Sequence, residues 1–170
     1  METQHIIHNF EPIYNEHSKI LMLGTMPSPK SREVGFYYGH PRNRFWKVVS
    51  DVCGEAYPET REDKITFALR NGIAVWDVLA GCDIKGADDS SIRNPQPNDM
   101  SRILECADIK AIFTTGTKAF HIRSSVIRRL GLWQSGYHPP VRQTAEHRMS
   151  SSMKHILKSE NIWNKESDIF

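Results

Sequence analysis

The chain has 170 residues, 39% of them hydrophobic and 25% charged, which suits one ordinary domain with a buried core and excludes a disordered or fibrous protein. Its formal net charge of +2 excludes a function based on strongly basic bulk charge, so any nucleic-acid binding must depend on the local distribution of cations. Neither a membrane-spanning apolar stretch nor the blocks of a signal peptide stand in the sequence, and we expect a cytoplasmic protein.

The cysteines Cys53, Cys82 and Cys106 stand singly in the sequence. An odd number without a Cys-x-x-Cys pair argues against a disulfide scaffold, a zinc knuckle or an iron–sulfur cluster. His138 and His147 also lack the spacing of metal ligands. We therefore expect buried free thiols, no metal and no cofactor.

The first part of the chain predicts a strand followed by a long loop. Residues 1–17 contain a few apolar side chains, which we expect to pack as a leader against a sheet. A fully apolar run then predicts a buried strand over residues 19–24. Pro27 and Pro29 predict a turn, because proline continues neither a strand ladder nor a helix interior. The aromatic and glycine-rich residues 35–41 are typical of a loop.

Two helices follow in the sequence pattern. Helical spacing of apolar residues begins at Asn43, a favourable N-cap residue, and Gly54 predicts the end of that helix. Thr60 is a second N-cap candidate, and the helix that it opens is predicted to end at Asn71 and Gly72. Both helices are of ordinary length for a globular domain.

Strands and helices continue to alternate in the middle of the chain. A strand is predicted over residues 73–76 and runs into Asp77. Residues 80–99 are rich in Gly, Asp, Ser, Asn and Pro and predict a long ordered loop, which is usually functional or mobile. One or two helical turns over residues 101–106 and a strand over residues 109–113 follow.

The last part of the chain predicts two more helices. One extends over residues 118–129, and a short fourth strand is expected over residues 132–135. Residues 136–140 contain two prolines and predict a rigid loop. The last helix is expected to begin near residue 150 and to continue through Trp163.

This alternation predicts the α/β class, as a three-layer α/β/α sandwich with a central, mostly parallel four-stranded sheet. Sites in such sheets form at the carboxyl ends of the strands. Residues 25–43, Asp77, residues 114–118 and residues 136–142 should therefore gather at one edge of the sheet.

Two strings carry a family resemblance: Gly-Thr-Met-Pro at residues 24–27 and Gly-Phe-Tyr-Tyr-Gly-His-Pro-Arg-Asn-Arg-Phe-Trp-Lys-Val at residues 35–48. Together they resemble the first motif of the uracil-DNA glycosylase superfamily, and are most similar to the mismatch-specific and the deoxyinosine (hypoxanthine) DNA glycosylases. The resemblance covers most of the chain to about residue 120, through residues 72–78, 89–92, 94–95, 97–99 and 113–116.

The resemblance implies that residues 1–170 form one such domain and that the protein is a monofunctional DNA glycosylase of base excision repair. It would act as a monomer on double-stranded or single-stranded DNA that contains a deaminated base. Hypoxanthine would be the preferred base and uracil the second.

Residue 26 distinguishes the two groups. The mismatch-specific enzymes have an asparagine there that positions the attacking water, whereas Met26 cannot hydrogen-bond a water usefully. In the hypoxanthine group this position is non-polar, and catalysis is assigned to the asparagine of the His-Pro-x-Asn string, here Asn43. The residues alone also allow Asn43 to be a helix N-cap, and the two roles can overlap. A neutral amide would catalyse by positioning and electrostatics rather than as a strong base.

Four residues are predicted to bind the base. By its place in the motif Tyr38 is the ring on which a flipped base would stack, although such an aromatic residue is often part of the core. Asp77 could accept a hydrogen bond from the N–H that uracil and hypoxanthine share, but a carboxylate could not donate to the adjacent C=O. Asp77 could instead cap the next turn or hold the water. Thr25 and Met26 complete the set.

The candidate DNA-binding residues are Ser28, Lys30, Lys118, His138 and Arg142. Ser28 and Lys30 lie beside the predicted pocket, and Lys118 begins a basic segment that fits phosphate contacts or, alternatively, a solvated helix face. His138 begins the region that matches the superfamily's Pro-Ser-rich minor-groove loop, but residues 138–145 contain no serine.

Two other functions are compatible with this sequence. A non-catalytic nucleic-acid-binding module on the same fold would be consistent with Met26 and with the altered late loop. A hydrolase of free nucleosides would suit the aromatic loop but would leave the basic segment without a purpose.

Overall fold

A computed structural model describes residues 2–115, 119, 121, 141–143 and 146–159. No helix within these residues is long and apolar enough to cross a membrane. The strands and helices in chain order are β1 (Gln4–Ile7), β2 (Ile20–Gly24), α1 (Pro29–Val34), α2 (Phe45–Cys53), α3 (Arg61–Arg70), β3 (Ile73–Asp77), β4 (Leu79–Lys85), β5 (Asp88–Pro97), α4 (Ser101–Leu104), β6 (Ala111–Thr114), β7 (Val141–Gln143) and α5 (Glu146–Ser159).

A four-stranded sheet in the order β3-β2-β6-β7 forms the centre of the fold, and each of its pairings is parallel. Every residue of β2, β3 and β6 is buried, as their continuous apolar sequences predicted. The α/β class is thereby confirmed. The strand predicted over residues 132–135 lies outside the described residues, and the fourth strand of this sheet is β7.

A second, antiparallel sheet in the order β1-β4-β5 was not predicted. The loop expected over residues 80–99 is wrong, because these residues form most of the hairpin β4–β5, which turns at Gly86 with a φ of 58°. Most side chains of β5 are exposed on this edge strand, so its sequence is polar although it is a strand. Pro95 and Pro97 are tolerated there because an edge strand leaves some N–H positions unpaired.

The leader is tied to both sheets. Strand β1 pairs with β4 from Gln4 opposite Ile84 to Ile7 opposite Gly81. Further along, Ile13 exchanges two backbone hydrogen bonds with Val75 of β3, at 3.0 and 2.8 Å. The leader therefore does more than pack against a sheet, since it adds backbone pairing to an edge of the antiparallel sheet and to an edge of the parallel sheet.

Helix α1 falls where the two prolines predicted only a turn. Pro29 occupies the first turn of the helix, where a missing N–H costs nothing. The Ser28 hydroxyl accepts a hydrogen bond from the Ser31 N–H at 3.2 Å, and Gly35 ends the helix with a φ of 74°. Proline is excluded from helix interiors, not from helix starts.

The predicted helices α2 and α3 are confirmed within two residues at each end. Helix α2 begins at Phe45 rather than at Asn43 and ends before Gly54, which is left-handed with a φ of 72°. At the start of α3 the Thr60 and Asp63 side chains each accept from the other's backbone N–H, which is a capping box.

The rest of the chain agrees in part. Helix α4 and strand β6 lie within the predicted ranges or one residue beyond them. Helix α5 begins at Glu146, four residues before the predicted residue 150, and packs against α2. Residues 119 and 121 are helical, but the rest of the helix over 118–129, the loop over 136–140 and the chain after 159 lie outside the described residues.

The thiols are free, as expected, but not all are buried. Cys82 is buried within β4 and Cys53 is partly buried. Cys106 is exposed, because it lies in the turn after α4, and the expectation of burial is wrong for it.

Candidate active site

A cavity of about 130 Å³ opens at the carboxyl ends of β2, β3 and β6. This volume is well below the roughly 300–1,000 Å³ of sites for drug-sized ligands, so it suits a small group rather than a large cofactor. All five residues predicted to be catalytic or base-binding line it. The full lining is Gly24, Thr25, Met26, Pro27, Ser28, Ser31, Tyr37, Tyr38, Asn43, Asp77, Asp89 and Thr115.

The aromatic loop before α2 is fixed by two buried rings. The Tyr37 hydroxyl lies within hydrogen-bond distance of the carbonyl oxygens of Phe10 and Glu11, at 3.2 and 3.1 Å. The indole Nε1 of Trp46 donates to the carbonyl of Tyr37 at 3.0 Å, and the Trp46 ring stacks against Phe36 at 5.9 Å. Phe36 and Tyr37 are therefore anchored in the core, which leaves Tyr38 as the aromatic residue of the cavity wall that is not fully buried.

Tyr38 is held in an unusual conformation. Its φ of 55° lies in the left-handed region, which is rare and strained for a bulky residue and is seen most often at functional sites. Its ring stacks on Phe45 at 3.7 Å with an interplanar angle of 16°. The hydroxyls of Tyr38 and Thr115 are 3.0 Å apart, and Thr115 donates to the carbonyl of Leu23 at 3.3 Å. Burial raises the pKa of Tyr38, so its phenol stays neutral.

Asp77 ends β3 and is 4% exposed. Within the described residues its buried Oδ2 has no hydrogen-bond partner, which does not fit a carboxylate that caps the next turn. Burial raises the pKa of Asp77 to about 7, with a further contribution from the charge of Asp89. Near neutral pH the neutral carboxyl group is therefore populated beside the carboxylate that the sequence analysis considered.

Gly24 makes room for the Asp77 carboxyl group. The two residues face each other in the register of β2 and β3. A Cβ atom at Gly24 would lie 2.1 Å from Oδ1 of Asp77, a distance that real Cβ contacts do not show. The glycine that ends the predicted strand is therefore required by side-chain packing within the site, and not by its backbone angles.

Asn43 is exposed at the rim of the cavity. Its Oδ1 accepts a hydrogen bond from the Phe45 N–H at 2.8 Å, so it supports the start of α2, and its own N–H donates to the carbonyl of His40 at 2.8 Å. The bond from the Phe45 N–H uses one lone pair of Oδ1. The side-chain Nδ2 of Asn43 can still donate to other partners. The N-cap residue of α2 is Arg44, so the prediction of Asn43 as the N-cap is wrong by one residue, but its side chain supports the first turn and also lines the cavity.

Thr25 and Met26 form the floor next to β2. Thr25 is buried, and its hydroxyl has no hydrogen-bond partner within the described residues, while its carbonyl accepts from the Leu79 N–H at 3.1 Å. Met26 is partly buried and presents an apolar wall. An unpartnered buried hydroxyl beside an apolar wall is typical of a site that binds a ligand with a few polar atoms.

Asp89, Thr115 and Ser31 are polar lining residues to which the sequence analysis assigned no role. Asp89 reaches the cavity from β5, and Thr115 follows the carboxyl end of β6. The position of Thr115 after a strand could have identified it. Asp89 lies in one of the segments that carry the family resemblance, but no role was predicted for it. The hairpin that places Asp89 at the cavity was predicted as a loop.

The candidate DNA-binding residues are placed only in part. Ser28 caps α1 and lines the cavity. Lys30 forms an ion pair with Glu33 at 2.6 Å, which offsets its charge. Lys118 and His138 lie outside the described residues, as does the side chain of Arg142 in β7. No cluster of histidine, cysteine and acidic residues able to hold a metal ion is found in the described part of the chain.

Comparisons with known proteins give a consistent result. The family described as the uracil DNA glycosylase superfamily matches residues 11–161. Proteins named hypoxanthine DNA glycosylase from Methanosarcina barkeri and Methanosarcina acetivorans are 30% and 34% identical over 112 residues, which is 65% of this chain and 71% of each relative. A Methanosarcina acetivorans protein solved by solution NMR, provisionally named a uracil DNA glycosylase, superposes with a TM-score of 0.70 at 27% identity and covers 89% of this chain and 96% of its own.

Proposed function

Because the chain belongs to the uracil DNA glycosylase superfamily and is a DNA glycosylase, we propose that it releases hypoxanthine from deoxyinosine in DNA, with uracil as a second substrate, in base excision repair. One observation carries this proposal. A single small cavity collects an aromatic ring, a buried carboxyl group whose Oδ2 has no hydrogen-bond partner within the described residues, and an exposed amide, from Tyr38, Asp77 and Asn43.

The cavity has the groups that a flipped base requires. A base taken out of the duplex is held by stacking and by hydrogen bonds to its Watson–Crick edge. Tyr38 supplies the ring, and Met26 supplies apolar contact. Hypoxanthine and uracil both present an N–H beside a C=O, and the unpartnered Oδ2 of Asp77 can accept from that N–H.

Asn43 then holds the attacking water. Its Nδ2 donors, and the Oδ1 lone pair that the bond to Phe45 leaves, can orient a water towards the anomeric carbon. The bond between C1′ and N9 of the nucleotide breaks, and its electron pair leaves with the base. The water oxygen bonds to C1′, and one of its protons ends on the released base. Fixing the water and stabilising the developing charge supply the catalysis, since no strong base is needed.

We further infer the three-layer arrangement and action as a monomer in the cytoplasm. Support for the layers comes from parallel strands that follow one another through helical connections, which right-handed crossovers place on the faces of the sheet. The monomer and the cytoplasmic location stay predictions from the sequence.

A cleavage assay tests the proposal directly. Duplexes that contain one deoxyinosine, uracil or xanthine are incubated with excess enzyme, treated with alkali and separated on a gel, with free deoxyinosine as a further substrate. We expect strand breaks only after alkali, fastest for deoxyinosine and slower for uracil. Binding without cleavage would instead identify a non-catalytic module, and faster hydrolysis of the free nucleoside would identify a nucleosidase.

A further inference from the structure

Two carboxyl groups reach the cavity from different sheets. Asp77 ends a strand of the parallel sheet, and Asp89 lies on β5 of the antiparallel sheet. We propose that Asp77 keeps a proton in this cavity, with Asp89 as a neighbouring acidic residue that disfavours a second charge there, and that Asp77 uses this proton to donate a hydrogen bond to the carbonyl oxygen of the bound base. This proposal rests on the proposed function and adds Asp89 as a positioning residue.

The lining of the cavity makes full ionisation of both groups unfavourable. Among the described residues that line it, none is a lysine, arginine or histidine. A second acidic residue that lines the same cavity of about 130 Å³ disfavours a negative charge on Asp77, and no cation among the described lining residues offsets this effect.

Among the described residues, the elements around Asp77 contribute mainly neutral groups. The aromatic loop contributes Tyr37 and Tyr38, which are neutral because burial raises the pKa of each phenol. The leader contributes His8, whose pKa is lowered by burial and whose Nε2 lies 2.6 Å from the carbonyl of Leu79.

Two arginines on neighbouring elements are engaged elsewhere. On α1, Arg32 donates to the carbonyl of Pro27 at 2.8 Å. On α4, Arg102 lies over the Trp76 ring and donates to Glu11 at 2.7 Å. Neither interaction brings a cation to the Asp77 carboxyl group.

The proton belongs on Asp77. Its side chain is buried and, within the described residues, its Oδ2 has no hydrogen-bond partner, so burial favours the neutral carboxyl group. The pKa of Asp77 is raised to about 7, by burial first and then by the charge of Asp89. A substantial fraction of Asp77 is therefore protonated at neutral pH.

A protonated Asp77 reads the base better than a carboxylate does. Its O–H donates to the C=O of hypoxanthine or uracil while its other oxygen accepts from the adjacent N–H, so one side chain satisfies both groups. As the glycosidic bond breaks, its electron pair enters the base and negative charge spreads onto that carbonyl oxygen. The hydrogen bond from Asp77 strengthens as this charge develops, and the proton stays on Asp77 throughout.

The test is the pH dependence of cleavage under single-turnover conditions, between pH values of about 5 and 9. With deoxyinosine duplex, the wild-type rate should fall as pH rises through about 7, where Asp77 loses its proton. Asp89→Asn removes the neighbouring charge and should move this fall to lower pH. A shift of about one pH unit would lower the rate at alkaline pH about tenfold.

Two further variants isolate the effect. Asp88→Asn is the matched control, since it makes the same charge change on the adjacent, exposed residue of β5, which does not line the cavity. It should leave the pH profile where it is. Asp77→Asn should abolish the alkaline fall, because an amide donates a hydrogen bond at every pH in this range.

A second measurement does not depend on catalysis. Carbon-13 NMR of the aspartate carboxyl groups in the free protein should show Asp77 titrating at lower pH in Asp89→Asn than in wild type or Asp88→Asn. An unchanged titration and an unchanged rate profile in Asp89→Asn would overturn the positioning role of Asp89 while the proposed function stands. A wild-type protein that releases no hypoxanthine would overturn the proposed function and the donation to the base, and the NMR titration would still decide whether Asp89 acts on Asp77.

Discussion

Asn43 combines a structural and a proposed catalytic role in one side chain, and substitutions can separate them. Asn43→Ala removes both the bond to the Phe45 N–H and the groups that would hold the water. We expect single-turnover release of hypoxanthine to fall by about a hundredfold or more, as for the loss of one transition-state contact. Binding of the deoxyinosine duplex should change little, and loss of the hydrogen bond to the Phe45 N–H should lower the free energy of unfolding by about 1 kcal/mol.

Asn43→Ser and Asn43→Asp are the controls for this loss, because both can still accept from the Phe45 N–H. The serine variant should be folded but slow, and the aspartate variant should keep some activity by holding the water. Wild-type cleavage by Asn43→Ala would exclude Asn43 as the water-holding residue and make Asp77 the leading candidate.

Gly24 offers a test of how closely the Asp77 carboxyl group must be placed. In Gly24→Ala the new Cβ would meet Oδ1 of Asp77 at 2.1 Å, so the carboxyl group must move. Misplacement by about 1 Å can cost up to a hundredfold in rate, and we expect a loss of that order in single-turnover cleavage. In an Asp77→Ala background the same substitution should cost little more, because the clash is gone. Equal losses in both backgrounds would show that Gly24 acts through something other than Asp77.

The raised pKa of Asp77 also predicts how stability depends on pH. Below about pH 4 the residue is protonated in the folded and the unfolded chain, and it costs nothing. Between about pH 4 and pH 7 the folded state binds the proton more tightly, so the free energy of unfolding falls as pH rises, and above about pH 7 the loss is complete. Asp77→Asn should therefore be more stable than wild type at pH 8, with the difference shrinking towards pH 4.

Urea unfolding of both proteins at several pH values measures this difference. His8, whose pKa is lowered by burial, destabilises both proteins equally in acid and cancels. If the stability of Asp77→Asn relative to wild type instead increased towards low pH, the folded protein would stabilise Asp77 as a carboxylate.

The position of Asp77 could be predicted from the sequence, but its protonation could not. Its place at the end of a buried strand followed from the apolar run before it. Its raised pKa did not, because that depends first on burial by the surrounding fold and then on the charge of Asp89, which lines the same cavity from the other sheet. The positive φ of Tyr38 was equally hidden, since nothing in the sequence distinguishes it from Tyr37.

Strands and helices with a continuous apolar run or a recognised capping residue were predicted well. Those whose sequences contain polar residues or prolines inside the element were missed. Strands β2, β3 and β6 are continuous apolar runs, and α3 has its capping box. The hairpin β4–β5 was missed because β5 is an exposed edge strand with polar side chains, prolines and several shifts of register. Helix α1 was missed because its prolines were weighed as breakers and not as a helix start.

Helix α2 anchors the aromatic loop through Phe45 and Trp46, and Trp46 adds a hydrogen bond to the loop backbone. Trp46→Phe keeps a ring against Phe36 but loses the hydrogen bond from Nε1 to the Tyr37 carbonyl. Leaving a buried carbonyl unpaired typically costs about 1–3 kcal/mol. Because the same loop carries Tyr38 and Asn43, we expect a loss of cleavage rate in addition to a lower denaturation midpoint.

Thr60→Ala is the matched control for Trp46→Phe. It removes one side of the α3 capping box and should cost about 1 kcal/mol of stability, but Thr60 does not line the cavity. Its cleavage rate should equal that of wild type under conditions where both proteins are folded. If the two variants lost activity in parallel with stability, the loss in Trp46→Phe would reflect unfolding and not the position of the loop.

The affinity of the whole molecule for DNA depends on where its cations lie more than on its net charge. With a net charge of +2 the protein has little overall attraction for phosphates. Many cations in the described residues are already offset by acids, in the pairs Lys19–Asp108, Lys30–Glu33, Lys47–Asp51, Arg70–Glu55 and Arg102–Glu11. Binding must then depend on cations near the cavity, such as Arg42 beside Asn43, and on the basic segment that begins at residue 118.

This distribution predicts a steep but localised dependence on salt. The logarithm of the binding constant for duplex DNA should fall linearly with the logarithm of salt concentration, with a slope of about −0.9 for each phosphate contact. Arg42→Ala should reduce that slope by about one contact. Lys47→Ala, which removes the same charge from nearby α2 where it is paired with Asp51, should not. Fluorescence anisotropy over a range of salt concentrations measures both slopes. A binding constant that does not change with salt would contradict binding through phosphate contacts. Equal changes of slope in Arg42→Ala and Lys47→Ala would show that net charge, and not the position of Arg42, determines the salt dependence.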